Sequence, residues 1–298
     1  MSLRTIVETL GGDLYDGGRR ASIPAPGHSA RDRSVSLLLE GDRLIVHSFG
    51  DGNWRAVLEH LRERRLIDDA NTPVSGPGAS APRPAVSTDP ERRRAASRLW
   101  AEGVGIAGNV SERHCRLRSV ARPLPGPDVL RHHGAAPVSA YADKGLRRPA
   151  MMAAIRDASG ALCAVELTYL NRRAERAADL RLSRKTIGQA PAGCAARLDP
   201  AAPAMLVGEG VFTTLSASER FGLPAWALLS VRNLQVWSPP DGVRSVLIAA
   251  DRGKAGEAGA DRLRARLVAR GVAAVVAPPP EPFGDWNDWA TAEASAKG

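Results

Sequence analysis

Met205-Leu-Val-Gly-Glu-Gly-Val-Phe-Thr-Thr-Leu215 and Val246-Leu-Ile-Ala-Ala-Asp-Arg-Gly-Lys-Ala-Gly256 decide how the chain is read, and Gly284-Asp-Trp-Asn-Asp288 closes the same region. Twice an apolar run ends in an acid and passes into glycine-containing sequence. A buried strand followed by a helix reads this way. In an open α/β sheet, ligands bind outside the carboxyl ends of the strands. Glu209 and Asp251 fall at such ends, so the pattern predicts that they share one crevice. Carboxylates on oxygen-rich loops suit Mg²⁺, which takes a few carboxylates together with substrate phosphates. Around them, Met205–Val207, Ala225–Leu229, Val246–Ala250 and Ala273–Ala277 read as strands, and Thr213–Phe221 and Gly256–Arg270 as helices ending at Gly222 and Gly271. Strands alternating with helices predict a parallel sheet with right-handed crossovers.

Glu209-Gly210, the strand-end Asp251 followed by Ala255-Gly256, and Asp285-Trp-Asn-Asp288 together resemble a Toprim domain. That is the metal-binding fold shared by bacterial and phage primases, topoisomerases and some nucleases. The resemblance is nearest to phage- and plasmid-type Toprim proteins related to primases. It covers roughly residues 93–292 and extends more weakly over 1–68. The resemblance implies that Glu209 acts as general acid/base or orients the metal. Asp251 and Asp285 would bind Mg²⁺ (or Mn²⁺), with Asp288 assisting, and Glu209 and Asp251 would be the catalytic pair. The family usually carries Asp-x-Asp at the second strand end, whereas this chain has Asp251-Arg252-Gly253. Position 213 is Thr where many primases carry a further Asp. Two-metal chemistry stabilises both attacking and leaving oxygens. With this thinner set, either one metal is held by Glu209, Asp251 and Asp285, or the site is weakened or inactive. Arg252 is expected to neutralise part of the field a cation needs. Asp285 and Asp288, taken as residues alone, would equally cap a C-terminal helix.

The 298 residues suffice for about two domains. Hydrophobic residues make up 44% and aromatics only 4%, so Ala, Leu and Val must fill the core. A net charge of +9 favours a polyanionic partner such as nucleic acid, although arginine enrichment also follows from composition alone. The three cysteines, Cys115, Cys163 and Cys194, form no CxxC pair, which fits a reducing cytoplasm and writes no cysteine-based zinc site. Met1–Leu10 has no signal-peptide core, and no run approaches a membrane span. No P-loop and no Gly-x-Ser-x-Gly elbow occurs, which argues against a fused helicase motor and a serine hydrolase.

The expected fold class is α/β: a Toprim parallel-sheet domain at 203–298, preceded by a mixed α+β, primase-core-like basic subdomain at 91–202. A disordered linker at 69–90, rich in Pro, Gly, Ser and Ala, precedes that. Residues 1–68 form a small β module. In it Ile6–Leu10 reads as a helix, Val35–Leu39 and Arg43–Phe49 as strands, and Trp54–Arg65 as a helix with Trp54, Val57, Leu58 and Leu61 on one face. Its layout resembles the zinc-ribbon module of bacterial primases. His28 stands at one ligand position, but Ile23, Ser48 and Asp51 stand where the family has cysteines, and a closed zinc site needs four ligands. No zinc is expected, and Leu38, Leu44, Val46, Phe49 and Trp54 should hold the module instead. His28 reads as a hydrogen-bonded surface residue.

Arg147-to-Ile155 and Ala161-to-Tyr169 read as hairpin strands across Asp157–Gly160, followed by the basic run Asn171–Arg176 and by Arg181, Arg184 and Lys185. In primases the equivalent region forms a basic surface for template and nucleotide. Arg147, Arg148, Arg172, Arg173 and Lys185 are therefore expected at phosphates, with Arg31 and Arg33 as further contacts from the first module. Positive charges on hairpin edges also deter edge pairing. The implied activity is Mg²⁺-dependent synthesis of RNA primers on single-stranded DNA in phage- or plasmid-type replication, with nucleoside triphosphates as substrates and a separate helicase as an expected partner. The alternatives are a catalytically weakened DNA-binding replication-accessory protein and a Toprim nuclease.

Overall fold

The computed structural model describes residues 3–29, 32–48, 53–74, 89–139, 145–180 and 182–297. Arg31, Phe49, Asp51, Arg181 and most of the expected linker lie outside the described residues. The chain divides into two compact units, Met1–Ser87 and Thr88–Gly298.

The first unit comprises α1 (Arg4–Leu10), β1 (Asp13–Tyr15), β2 (Arg20–Ile23), β3 (Val35–Glu40), β4 (Arg43–Ser48) and α2 (Trp54–Glu63). The strands form one antiparallel sheet in the order β1-β2-β3-β4. Successive side chains of a strand face opposite ways. In β3 this turns Val35, Leu37 and Leu39 inward and leaves Leu38 only partly covered. The core thus uses Leu37 and Leu39 in place of the expected Leu38. Leu44, Val57, Leu58 and Leu61 join it, with Val46 packed at its margin. Trp54 is 45% exposed and lies off the buried face, because Asn53 caps α2 and puts Trp54 in its first turn. The run Val35–Leu39 gave a clear strand signal. The short, mixed segments of β1 and β2 did not.

The second unit holds two five-stranded sheets. Its first part contains α3 (Asp89–Glu102), β5 (Val104–Gly105), α4 (Val110–Leu117), β6 (Leu130–Pro137), β7 (Arg147–Arg156), β8 (Leu162–Tyr169) and β9 (Arg184–Gly188). These strands make an antiparallel sheet in sequence order. It is buried on both faces, which is why β7 and β8 read as near-continuous apolar runs. Met152 and Ala154 pack with Ala95, Ala96 and Trp100 of α3. Met151 and Ala153 point the other way, into a core shared with Cys115 of α4 and with Phe212 and Leu215.

The second sheet contains β10 (Ala196–Arg197), β11 (Ala204–Gly208), β12 (Ala225–Ala227), β13 (Ser245–Ala249) and β14 (Ala273–Ala277). Helices α5 (Val211–Phe221), α6 (Val231–Val236) and α7 (Lys254–Val268) lie between its strands, and α8 (Trp286–Lys297) follows them. The order is β10-β12-β11-β13-β14; all neighbours are parallel except β10 and β12. The chain moves from β11 to β12 on one side and returns to β13 on the other. The switch point therefore lies between β11 and β13, where Gly208 pairs with Ala249. Helix α6 and the two-residue β10 gave no usable sequence period. All three cysteines are buried, and burial pushes the thiols of Cys115 and Cys194 up to about 12 and about 11. No described helix is long and apolar enough to cross a membrane.

Candidate active-site cleft

Glu209 follows β11 and Asp251 stands two residues past the end of β13. The paired register of these strands brings both acids to the same end of the sheet. Asp285 and Asp288 arrive from the start of α8. All four carboxylates line one cleft of about 280 Å³, together with Gly210, Thr213 and Leu229. The opposite wall is supplied by the first half of this unit: Arg118 just after α4, Arg176 after β8, Arg184 at the start of β9, and Glu166 in β8.

Close backbone approach fixes the two strand ends. A Cβ on Gly256 would stand 2.4 Å from the Asp251 carbonyl oxygen, so only glycine lets α7 pack this near Asp251. Gly253 has φ 105°, a backbone region that L side chains rarely adopt, and it turns the chain into α7. Beside Glu209, Leu229 is held in the left-handed region at φ 70° and donates its amide to the Glu209 carbonyl at 2.7 Å. Bulky side chains are rare there, and such conformations persist only where the surroundings enforce them.

Burial raises the Asp251 carboxyl to about 7, and repulsion from Glu209, Asp285 and Asp288 adds to this, against the attraction of Arg184. Its Oδ1 atom is buried without a hydrogen-bond partner. Glu209 and Glu166 are also raised by burial; Arg184 opposes the shift in both, with help from Val231 for Glu209 and from Arg176 for Glu166. Burial and the neighbouring Arg118 and Arg184 lower Arg176. The cleft thus sets an under-compensated acid wall against a cationic wall.

This donor set fits Mg²⁺ bound by one or two carboxylates, with substrate phosphate and water completing its shell. Asp251, with an unpartnered oxygen and three acidic neighbours, is the foremost candidate ligand. It does not fit a cage made by protein alone: among the described residues no three of His, Cys, Asp and Glu are gathered closely enough to hold a metal ion. Arg252 does not neutralise Asp251 as expected. Its Nε donates to the Pro279 carbonyl at 3.0 Å and its guanidinium pairs with Glu281 at 3.5 Å. Asp285 takes the capping role weighed from sequence and also lines the cleft. Its Oδ1 caps α8, accepting from the amides of Asn287 at 2.7 Å and Asp288 at 2.8 Å.

The arginines expected at phosphates are placed elsewhere. None of Arg147, Arg148, Arg172, Arg173 and Lys185 lines the cleft. Arg147 bonds the Ala135 carbonyl, Arg148 pairs with Asp179 at 2.7 Å, and Lys185 bonds the Val138 carbonyl over the Tyr169 ring. Arg172 and Arg173 are exposed. In the first unit, Arg33 pairs with Asp13 at 2.8 Å, and His28 stands 3.1 Å from Asp32. Of the cleft arginines, Arg176 and Arg184 fall in the basic stretch noted in the sequence, but nothing local set them, or Arg118, apart among the 41 basic residues. Glu166 was hidden by its position between Val165 and Leu167, where strand alternation reads an acid as solvent-facing. A larger groove of about 640 Å³ elsewhere in the unit is lined by Pro123, Pro125 and Trp226; of its two acids, Asp128 and Asp199, the latter is already paired with Arg122.

A family model for a Toprim domain matches residues 204–296, and one described as a domain of unknown function (DUF7146) matches residues 90–198. No curated protein sequence matches the chain. Solved structures to which the chain shows a likeness include the zinc-binding and RNA polymerase domains of the Aquifex aeolicus primase. There the identity is 15% and the TM-score 0.44, over 99% of this chain and 81% of that one. The primase fragment of the bacteriophage T7 primase-helicase protein has 15% identity and a TM-score of 0.41, over 93% and 96%. A DnaG primase catalytic domain bound to single-stranded DNA has 13% identity and a TM-score of 0.45, over 69% and 76%. These are distant likenesses.

Proposed function

We propose that this chain, whose residues 204–296 match a family model for a Toprim domain, is a DNA primase-like nucleotidyltransferase that joins ribonucleotides on a single-stranded DNA template with Mg²⁺ or Mn²⁺. The observation that carries this reading is that Glu209, Asp251, Asp285 and Asp288 line one cleft together with Arg118, Arg176 and Arg184. Phosphoryl transfer asks for positioning and charge stabilisation more than for covalent chemistry. Glu209, on a backbone braced by Leu229, is the residue to orient or deprotonate the attacking hydroxyl. Its raised pKa brings it nearer the working pH of a general base. Asp251, together with Asp285 or Asp288, would hold the metal, which when bound supplies charge for the substrate phosphates. Arg118, Arg176 and Arg184 would take the phosphate oxygens, where a guanidinium fork fits two oxygens at once. The exposed Arg172 and Arg173, and Arg31 and Arg33 of the first unit, remain proposed contacts for template phosphates. A separate helicase is a proposed partner.

A second reading, a DNA-binding accessory protein with a weakened site, is favoured by Gly253 at the usual second aspartate and by the absence of a three-ligand gathering among the described residues. The test is incubation of the full chain with mixed-sequence single-stranded DNA, labelled NTPs and Mg²⁺ or Mn²⁺. Template-dependent RNA that disappears in Glu209→Gln supports the primase. DNA cleavage without NTPs points to a nuclease. DNA binding unchanged by Glu209→Gln, with neither activity, leaves the accessory role.

A further inference from the structure

Asn287 is fully buried, and it sits between the two cleft acids Asp285 and Asp288. Its side-chain amide reaches away from them and donates to the Arg118 carbonyl at 2.7 Å and to Ser216 Oγ at 2.9 Å. The Arg118 carbonyl is free to accept because α4 has ended. The last carbonyls of a helix have no intrahelical partner, and Ser119 turns the chain away at φ 54°. The Arg118 side chain meanwhile lines the cleft, 5.6 Å over the Phe212 ring and 4.0 Å from Asp288.

The connection runs further. One helical turn before Arg118, the buried His114 donates Nδ1–H to the Ala174 carbonyl at 2.6 Å, two residues before Arg176. Burial depresses His114 to about 4, so its ring stays neutral and this tautomer is kept. Phe212 of α5 packs edge-on against the His114 ring at 5.1 Å. One amide side chain thus ties the helix that carries two of the acids to α4, and α4 ties down the loop that carries Arg176. Among the described residues, it is the hydrogen bond from α8 that crosses to the arginine wall; the ion pair of Asp288 with Arg118, at 4.0 Å and half-exposed, is weak by comparison.

We propose that Asn287 is a positioning residue that sets the distance between the acid wall and the arginine wall, so that a metal–polyphosphate ligand touching both is bound cooperatively. This rests on the cleft being the phosphoryl-transfer site. A ligand that touches one wall should be indifferent to Asn287; a ligand that bridges the walls should depend on it.

The test uses the full chain and two probes, Mg²⁺ alone and inorganic pyrophosphate alone, and then each titrated by calorimetry in the presence of the other. In the wild type each probe should sharpen the affinity of the other by about tenfold or more, reciprocally. In Asn287→Ala the single-probe affinities should stay within about twofold while the mutual sharpening falls below about threefold. Ser216→Ala removes one anchor and should give an intermediate loss. Should Asn287→Ala not fold, as judged by its thermal melt, Asn287→Ser and Ser216→Ala carry the measurement. Intact coupling in the folded variants overturns the proposal. So does an equal loss of both single-probe affinities, which would mark a merely structural role. If the wild type binds neither probe, the site itself is refuted and the proposal falls with it, an outcome distinct from either of the others.

Discussion

Replacing Asp251 by Asn should make the metal-free protein more stable at neutral pH. The carboxyl has an ordinary value of 3.8 and stands at about 7 in the folded chain, through burial and then through repulsion by Glu209, Asp285 and Asp288. A folded state with the higher pKa binds more protons than the unfolded chain between those two values. Stability therefore falls as pH rises from about 4 to about 7, and the loss is complete above that. Conversion of the whole difference would be roughly 4 kcal/mol. The cleft is open to solvent, which screens the repulsion, so the expected cost is about 1–2 kcal/mol. Asn is isosteric and carries no such cost. In a unit of this size that corresponds to about 3–6 °C in Tm. The assay is thermal unfolding of wild type and Asp251→Asn at pH 4.5 and pH 8, with chelator and then with millimolar Mg²⁺. The advantage of the variant should be small at pH 4.5 and several degrees at pH 8. Mg²⁺ should raise the Tm of the wild type and leave the variant unmoved, since a ligand stabilises only the state it binds. A gap equal at both pH values would refute the electrostatic reasoning, and a Mg²⁺ response retained in the variant would remove Asp251 from the metal site.

Other expectations concern neighbouring groups. Arg184→Ala removes the cation that opposes the raised pKa of Asp251 and Glu209. The pH midpoint of Mg²⁺ binding, followed by calorimetry across pH 5–9, should move upward; a downward shift or none would contradict the placement of Arg184. Gly256→Val forces a side chain toward the Asp251 carbonyl and should cost about 1–3 kcal/mol in urea unfolding, with Mg²⁺ affinity falling in parallel. Under the proposed function, Glu209→Gln should abolish primer synthesis while salt-dependent binding of single-stranded DNA, expected of a chain with net charge +9, persists. Leu37→Ala should destabilise the first unit by about 2–5 kcal/mol, visible as an earlier unfolding transition by circular dichroism.

The parallel part of the second sheet was legible because β11 and β13 are short apolar runs with an acid just behind them. The acids at 209, 251, 285 and 288 could be named for the same reason: the chain itself brings them to strand and helix ends. The arginine wall could not be read in this way. Arg118, Arg176 and Arg184 come together only when the antiparallel sheet and α4 pack on α5, a long-range event with no local period. Glu166 lies in a strand covered on both faces, where alternation loses its meaning. In the first module the error was one of phase: Leu37, Leu38 and Leu39 are the same residue type in sequence, and only pairing with β4 decides which of them turns inward. The helical spacing puts Trp54 on one face with Val57, Leu58 and Leu61, but the capped first turn of α2 leaves it outside.

The buried thiols have a practical consequence. Maleimides and iodoacetamides react with accessible thiolates, and Cys115, Cys163 and Cys194 offer neither accessibility nor thiolate at neutral pH. The native chain should therefore be nearly silent to such reagents while folded. One cysteine introduced at an exposed position, such as Val275 on the outer edge of β14, would react alone. A dye placed there gives fluorescence anisotropy on the unmodified cysteine background, with no need to engineer away the three natural cysteines. The same silence makes the chain its own reporter of unfolding: thiol labelling should begin only when the core opens, so its rate under native conditions measures how often that happens.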